Sequence, residues 1–189
     1  MIYLKYSGTI KDRRKIRQLQ EEFIDICRIS GWKHEIVTEN FQTLTMKGKA
    51  SGKRKAEEDE FDDELKTVAS SEVYLDGIII NTGDGADPLK FTFDRNGRIS
   101  TINFCTTDTI GVSGKLTVKK FEFIYYPYIK VLTPDPEKHR RTVRILEHIK
   151  KSYIPDLRVI DTSFYWNSKD EEELKVRFWK SFRGKNAIR

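Results

Sequence analysis

The spacing of apolar residues changes within the first part of the chain, and this change limits the folds open to it. Ile2, Leu4 and Tyr6 alternate with other residues, which is the two-residue period of a half-buried strand. From Asp12 the period becomes helical, and Gly31 follows where a left-handed residue commonly ends a helix. The apolar positions of this helix are Ile16, Leu19, Phe23, Ile26 and Cys27. With a second strand predicted at about 33–37, the opening predicts strand, helix, strand.

Most of the middle of the chain has the patterns of strands. Branched aliphatic residues predict a buried strand at 73–80, and a second strand follows at 89–93. The tetrapeptide Asp94-Arg95-Asn96-Gly97 indicates a hairpin turn, so the segment 99–104 is predicted to return beside 89–93. Another strand or hairpin is predicted at 111–118, and it leads into a long strand-like segment at 121–132.

The last third combines two helices with one strand. Asp135 and Pro136 are a capping carboxylate and a first-turn proline, and they predict that a helix begins there. A strand is predicted at 157–165. Ser168 and Glu171 have the spacing of a capping box ahead of a C-terminal helix.

These elements predict an α+β fold in one domain, residues 1–189, with two to three helices packed mainly on one face of a mostly antiparallel sheet. The chain has 189 residues, of which 38% are hydrophobic, and this suffices for one core. The segment 47–71 is predicted to be a solvated, charged loop, and 183–189 a basic tail. Tyr3-Leu4-Lys5 and Tyr128-Ile129-Lys130 each open a strand, helix, strand unit, which suggests an internal duplication.

The charge of the chain suits an anionic partner. Its 35 Lys and Arg residues against 29 Asp and Glu residues give a formal charge of +6, which permits attraction to nucleic acid, anionic lipid or acidic protein. We find no uncharged run of the length that crosses a membrane, and we expect no membrane partner. The two cysteines, Cys27 and Cys105, are too few for a disulfide framework or a zinc site. We therefore expect a cytoplasmic location.

Two helix starts carry cations where the helix dipole favours anions. The predicted anion-binding residues are Arg13, Arg14, Arg17, Arg140, Arg141 and Arg144. Free backbone N–H groups together with guanidinium groups suit a phosphate. The alternative is that salt screens these charges and that Glu21 or Glu22 pairs with Arg17 or Arg14 across a helical turn.

Aromatic residues alternate with lysines on two predicted strands. Tyr3, Tyr126 and Tyr128 are predicted to form a stacking face, with Lys5 and Lys130 beside them. Such a face stacks nucleobases while its cations meet phosphates. The alternatives are that these tyrosines face a dimer partner, the middle hairpins or water.

No complete catalytic or cofactor motif is present, so we predict neither a metal nor a cofactor, and catalytic residues stay unassigned. Asp84, Asp87 and Asp94 lie near turns but lack the spacing of a calcium loop. His139 has no partner visible in the sequence, and a structural role is favoured for it.

Three functions stay open. The first is a binding module for a polyanion or nucleic acid. The second is a small enzyme acting on a phosphorylated or nucleotide substrate, with His139, Asp84 and Asp87 as its candidate groups. The third is an interaction or assembly subunit, for instance a homodimer.

Overall fold

The computed structural model describes residues 2–40, 74–83, 85–110 and 116–186, with the backbone alone at 39–40, 103–110, 116–125 and 183–186. The predicted loop 47–71 and Asp84 lie outside these residues. The strands are β1 (Tyr3–Ser7), β2 (Lys33–Asn40), β3 (Tyr74–Asn81), β4 (Leu89–Phe93), β5 (Thr101–Ile110), β6 (Leu116–Tyr126), β7 (Ile129–Leu132) and β8 (Arg158–Asp161). The helices are α1 (Arg14–Ser30), α2 (Pro136–Ser152), α3 (Tyr165–Ser168) and α4 (Glu171–Asn186).

The strands form three antiparallel sheets, with the orders β7-β1-β8, β2-β3-β4 and β5-β6. The predicted α+β class with antiparallel pairing is thereby confirmed. The two halves of the predicted repeat differ in the arrangement of their strands. β1 and β2 belong to different sheets, whereas β7 and β8 belong to one sheet and both flank β1. The duplication stays a prediction.

One hydrophobic cluster joins both three-stranded sheets to the long helices. Tyr6 of β1 and Phe91 of β4 are fully buried in it, and Phe23 of α1 stacks on Phe91 with a ring distance of 5.4 Å. Leu146 of α2 and Phe178 of α4 belong to the same cluster. Burial of these side chains away from water is the main force holding the helices on one face of the sheet β7-β1-β8.

The ends of the helices agree with the sequence in two places and differ in one. Gly31 ends α1 with a left-handed φ of 68°, and the Asp135 side chain accepts from Lys138 N at 2.9 Å to cap α2. The predicted capping box of α4 is wrong. Ser168 ends α3, and Asp170 caps α4 instead, because its carboxylate accepts from the first free N–H groups, those of Glu172 and Glu173.

The predicted return strand after Gly97 pairs with β4 only at its start. A turn forms there, with Gly97 N donating to Asp94 O at 2.9 Å, but pairing with β4 stops after the single bridge from Phe93 to Ile99. Strand β5 then pairs with β6, along which ten residue pairs are in register. Residues 111–115 of the predicted strand 111–118 lie outside the described part.

The strand predicted at 157–165 is shorter, because β8 covers only Arg158–Asp161. Phe164 has a left-handed φ of 64°, which extended backbone does not allow, and α3 begins directly after it. The last helix runs further than expected, since the first residues of the predicted basic tail continue α4 as far as Asn186.

We expect Gly97→Ala to destabilise the protein more than Gly31→Ala does. Both glycines have a left-handed φ, 75° and 68°, so both substitutions carry the backbone cost of about 1–2 kcal/mol. At Gly97 the added Cβ would also lie 2.4 Å from the backbone oxygen of Ile10, whereas the space beside Gly31 is open. Urea unfolding of both variants tests this, and equal losses would contradict a close approach of the two backbones.

Candidate functional site

The sheet β7-β1-β8 directs two kinds of side chain to its two faces. Leu4 and Tyr6 of β1 are buried in the hydrophobic cluster, so the alternation along the strand places Tyr3, Lys5 and Ser7 on the opposite face. In the ladder, Lys5 lies opposite Lys130 of β7. We call the group formed by Tyr3, Lys5, Tyr126, Tyr128, Lys130 and Arg158 the lysine–tyrosine face.

Arg158 of β8 joins this face through its register. It lies opposite Ser7, while Lys5 lies opposite Ile160, so Arg158 is diagonal to Lys5 on the same side of the sheet. Lys130 and Arg158 are exposed at either side of β1, whereas Lys5 is only 6% exposed. The three cations therefore span all three strands.

The lysines and tyrosines of this face contact one another directly. Lys5 Nζ lies 4.1 Å from the centre of the Tyr128 ring, and Lys130 Nζ lies 3.9 Å from that of Tyr3. These are cation–π distances. The rings of Tyr126 and Tyr128 meet edge to face, with their centres 5.6 Å apart. The structure thus brings Tyr126 and Tyr128 into contact and places Tyr3 on the same face beside Lys130, while their role as a stacking face stays a prediction.

Two ammonium groups directly opposite each other in a ladder normally destabilise it. Lys5 and Lys130 occupy such a pair, and each ammonium group lies over a tyrosine ring. Lys130 and Arg158, by contrast, are exposed cations on the same side of the sheet as the partly exposed rings of Tyr3 and Tyr128. This arrangement can therefore hold an anionic group beside aromatic surface.

Four of the six arginines that the sequence predicted as anion-binding contact carboxylates of the chain itself. The pairs are Arg14 with Asp12 at 3.0 Å, Arg17 with Glu21 at 3.1 Å, Arg140 with Glu171 at 3.0 Å and Arg141 with Glu137 at 3.1 Å. Such pairing is the alternative that the sequence left open. Anion binding at the six arginines stays a prediction, and the four ion pairs reduce the support for it.

Asp12 also occupies the start of α1. Its carboxylate accepts from the side chain and the backbone N–H of Arg14, and these bonds lower the pKa of Asp12. The other two arginines lie apart from each other. Arg13 donates to the backbone oxygen of Arg95 at 2.9 Å, and Arg144 is exposed on α2. Asp12 thus already places a carboxylate at the start of α1, where an anion was predicted to bind.

His139 lies in a buried polar cluster that the sequence did not reveal. Its ring is fully buried, with Thr133 Oγ1 2.8 Å from Nδ1. Asp161 Oδ2 lies 3.1 Å and Ser163 Oγ 2.9 Å from Nε2. Only the position of His139 beside the apolar stripe of α2 indicated burial, since its partners come from distant segments of the chain.

The cluster contains serine, histidine and aspartate, but it does not have the geometry of a catalytic triad. Ser163 and Asp161 both contact Nε2, whereas a relay needs the nucleophile and the carboxylate on different ring nitrogens. Ser163 is 1% exposed, so a substrate has no access to its hydroxyl. The structural role favoured for His139 is supported by this arrangement, in which the cluster ties α2 to the ends of β7 and β8.

The remaining catalytic and metal candidates are also held by the fold. Asp87 accepts from the backbone N–H of Leu132 at 2.8 Å, which fixes its loop beside β7. Asp94 accepts from the backbone N–H groups of Asn96 and Arg98 and so shapes the turn. Within the described ranges, no group of three or more His, Cys, Asp or Glu residues is placed to hold a metal ion.

Comparisons add no functional assignment. No family model matches the chain, and neither the curated proteins nor the solved structures contain a match. No helix in the part of the chain that the structure describes is long and apolar enough to cross a membrane. The geometry of the lysine–tyrosine face is therefore the basis for a functional proposal.

We expect Asp161→Asn to lower stability at pH 6 by about 3 kcal/mol and to reduce the loss of stability in acid. Burial disfavours the Asp161 carboxylate, but hydrogen bonds from His139, Ser163 and the Trp166 backbone outweigh it and lower the pKa of Asp161. A lowered pKa stabilises the fold above the ordinary value of 3.8, and this contribution is lost as the pH falls through the folded value.

Urea unfolding at pH 6 and pH 3 measures both effects. The variant should lose less free energy of unfolding between these pH values than the parent does. The control is Asp25→Asn on the exposed side of α1, which should stay within about 0.5 kcal/mol of the parent at pH 6. A parallel fall of both free energies with pH would exclude Asp161 as a source of acid sensitivity.

Proposed function

We propose that this protein is a non-catalytic binding module that takes single-stranded nucleic acid on the lysine–tyrosine face. One observation carries the proposal: the exposed cations Lys130 and Arg158 lie on the same side of the sheet as partly exposed tyrosine rings, with Lys130 Nζ 3.9 Å from the centre of the Tyr3 ring. Proteins that bind single strands combine cations along the backbone path with aromatic rings for the bases. The formal charge of +6 favours the same class of partner.

The roles within the face follow from exposure. Lys130 and Arg158 are exposed on strands at either side of β1, about 10 Å apart across the sheet, and they would contact phosphates. The tyrosines are partly exposed and would stack on bases. Lys5 is nearly buried and would act through the positive potential that it adds beneath them.

A second reading, an enzyme acting on a phosphorylated or nucleotide substrate, has less support. Its candidates were His139, Asp84 and Asp87. His139 is buried and satisfied, the Asp87 carboxylate is bonded to Leu132, and Asp84 lies outside the described residues. A binding module needs no such groups, so the face alone is enough for the first proposal.

We expect Lys130→Gln to weaken binding of a labelled oligothymidylate of about 20 nucleotides by roughly three- to tenfold. Loss of one phosphate contact should also reduce the slope of log affinity against log salt by about 0.7. Fluorescence anisotropy at several salt concentrations gives both quantities. The matched control is Lys151→Gln, which removes an exposed lysine from α2, away from the face.

The control variant should bind as the parent does. The proposal would be excluded if the parent failed to bind the oligonucleotide at low salt. It would also be excluded if Lys151→Gln weakened binding as much as Lys130→Gln, because net charge alone would then explain the affinity.

We expect Tyr3→Leu to weaken the same complex by at least fivefold while the salt slope stays unchanged, because a stacked base contributes about 1–3 kcal/mol. Tyr3→Phe keeps the ring and should retain most of the affinity. A duplex of equal length should bind less tightly, since its bases are already stacked on one another. Equal binding of Tyr3→Leu and Tyr3→Phe would show that the Tyr3 ring does not contact a base.

A further inference from the structure

Phe164, directly before α3, has a backbone conformation that its side chain does not favour. Its φ of 64° is left-handed, which is rare for a bulky residue, because the side chain crowds the backbone there. Among the described residues, the only other non-glycine residue with a positive φ is Lys169, at the opposite end of α3. Strained residues persist where the surrounding structure fixes them, and they concentrate at sites that bind or react. Phe164 is therefore a candidate for a role in binding.

The backbone of Phe164 is fixed by Asp161 rather than by its own side chain. The Phe164 N–H donates to Asp161 O at 3.0 Å, and the Asp161 carboxylate accepts from the backbone N–H groups of Ser163 and Trp166, both at 2.8 Å. Phe164 itself is 56% exposed. A glycine or an asparagine would adopt this conformation at lower cost, so the bonds that shape the turn do not require an aromatic residue.

A guanidinium group lies against the exposed ring. Arg177 Cζ of α4 is 4.6 Å from the centre of the Phe164 ring, which is a cation–π distance. Glu173 orients Arg177, because its Oε1 accepts from Arg177 Nε at 3.0 Å and from Nη2 at 2.6 Å. Since this ion pair offsets the charge of Arg177, its contact with Phe164 serves to hold the ring. The ring is thus supported from α4 while more than half of Phe164 stays exposed.

Phe164 lies near the end of β1 that carries Tyr3. Thr162 is directly opposite Tyr3, because the Tyr3 N–H donates to Thr162 Oγ1 at 3.0 Å and the Thr162 N–H donates to Tyr3 O at 3.2 Å. Residues opposed in this way have Cα atoms about 5.5 Å apart, and two further residues add at most about 7 Å. Phe164 is therefore within about 13 Å of Tyr3, which about four stacked nucleotides span at roughly 3.4 Å each.

We infer that Phe164 stacks a nucleobase at the end of a binding path that begins on the lysine–tyrosine face. This inference rests on the proposed function, because it names a further contact for the same single strand. The closeness of Phe164 to Tyr3 favours a base over a protein side chain, because single-strand sites place successive rings along one strand. The strand would pass Tyr3, leave the lysine–tyrosine face at the end of β1 and turn towards α4. The fixed backbone of Phe164 would present the ring without a cost of ordering it on binding.

Phe164→Asn tests the inference, because it removes the ring while a left-handed backbone accepts asparagine. We expect the affinity for the oligothymidylate of about 20 nucleotides to fall about fivefold or more, as for the loss of one stacked base. Phe164→Tyr keeps a ring and should bind as the parent does. The midpoint of urea unfolding should not fall in Phe164→Asn, since the backbone strain is relieved. The matched control is Trp179→Ala, at a residue that is 54% exposed and about 200° around α4 from Arg177, and it should leave the affinity unchanged.

The outcomes separate this inference from the proposed function. If Tyr3→Leu weakens binding and Phe164→Asn does not, the inference is overturned and the lysine–tyrosine face remains the site. A lower urea midpoint in Phe164→Asn would overturn it as well, because the ring would then serve the fold. Equal losses of affinity in Phe164→Asn and Trp179→Ala would do the same. A parent that fails to bind at low salt would exclude both the inference and the proposed function.

Photo-crosslinking tests the contact directly. An oligothymidylate in which single thymines are replaced by iodouracil should crosslink to the parent at both Tyr3 and Phe164, as identified by mass spectrometry of the modified peptides. In Phe164→Asn, the crosslink at Tyr3 should remain. Crosslinks at Tyr3 without any at Phe164 in the parent would overturn the inference.

Discussion

The pairing of β1 with strands from the other end of the chain is the constraint on which the rest of the structure depends. β1 accepts β7 on one edge and β8 on the other, and the Tyr3 backbone N–H donates to Thr162 Oγ1 across 159 residues of sequence. Closing a loop of this length costs chain entropy, which the hydrogen bonds and the buried apolar face of the sheet must offset. Both faces described above exist only once these strands have met.

The two faces of this sheet use polar groups in opposite ways. On the helical face, Asp161 and His139 are buried, and each polar atom of their cluster has a partner of suitable geometry. On the other face, Lys5 and Lys130 are brought together with tyrosine rings as their described partners. A satisfied buried cluster stabilises one arrangement of the fold, whereas exposed cations beside aromatic rings can contact an anion. For this reason we interpret the first face as structural and propose binding for the second.

Much of the candidate site was predictable residue by residue. The alternation at Tyr3 and Lys5 and at Tyr128 and Lys130 indicates one face on each strand, because side chains of a strand alternate strictly. Anion binding at the helix starts stays a prediction. Arg14 and Arg140 each contact a carboxylate, and Glu171 lies 31 residues beyond Arg140, where no local pattern indicates it. Strand partners were harder to predict, since β5 pairs along its length with β6 and the chain contacts β4 only just before β5 begins.

The sequence by itself determined the local elements: the period of β1, the end of α1 at Gly31, the start of α2 at Asp135 and the alternation that separates Lys5 from Leu4. These follow from propensity, capping and periodicity, which act over a few residues. The tertiary structure decided that Lys5 faces Lys130, that Asp161 reaches His139 and that Trp179 of α4 stays exposed. Such contacts depend on strand order and helix packing, because these bring together residues that no local pattern relates.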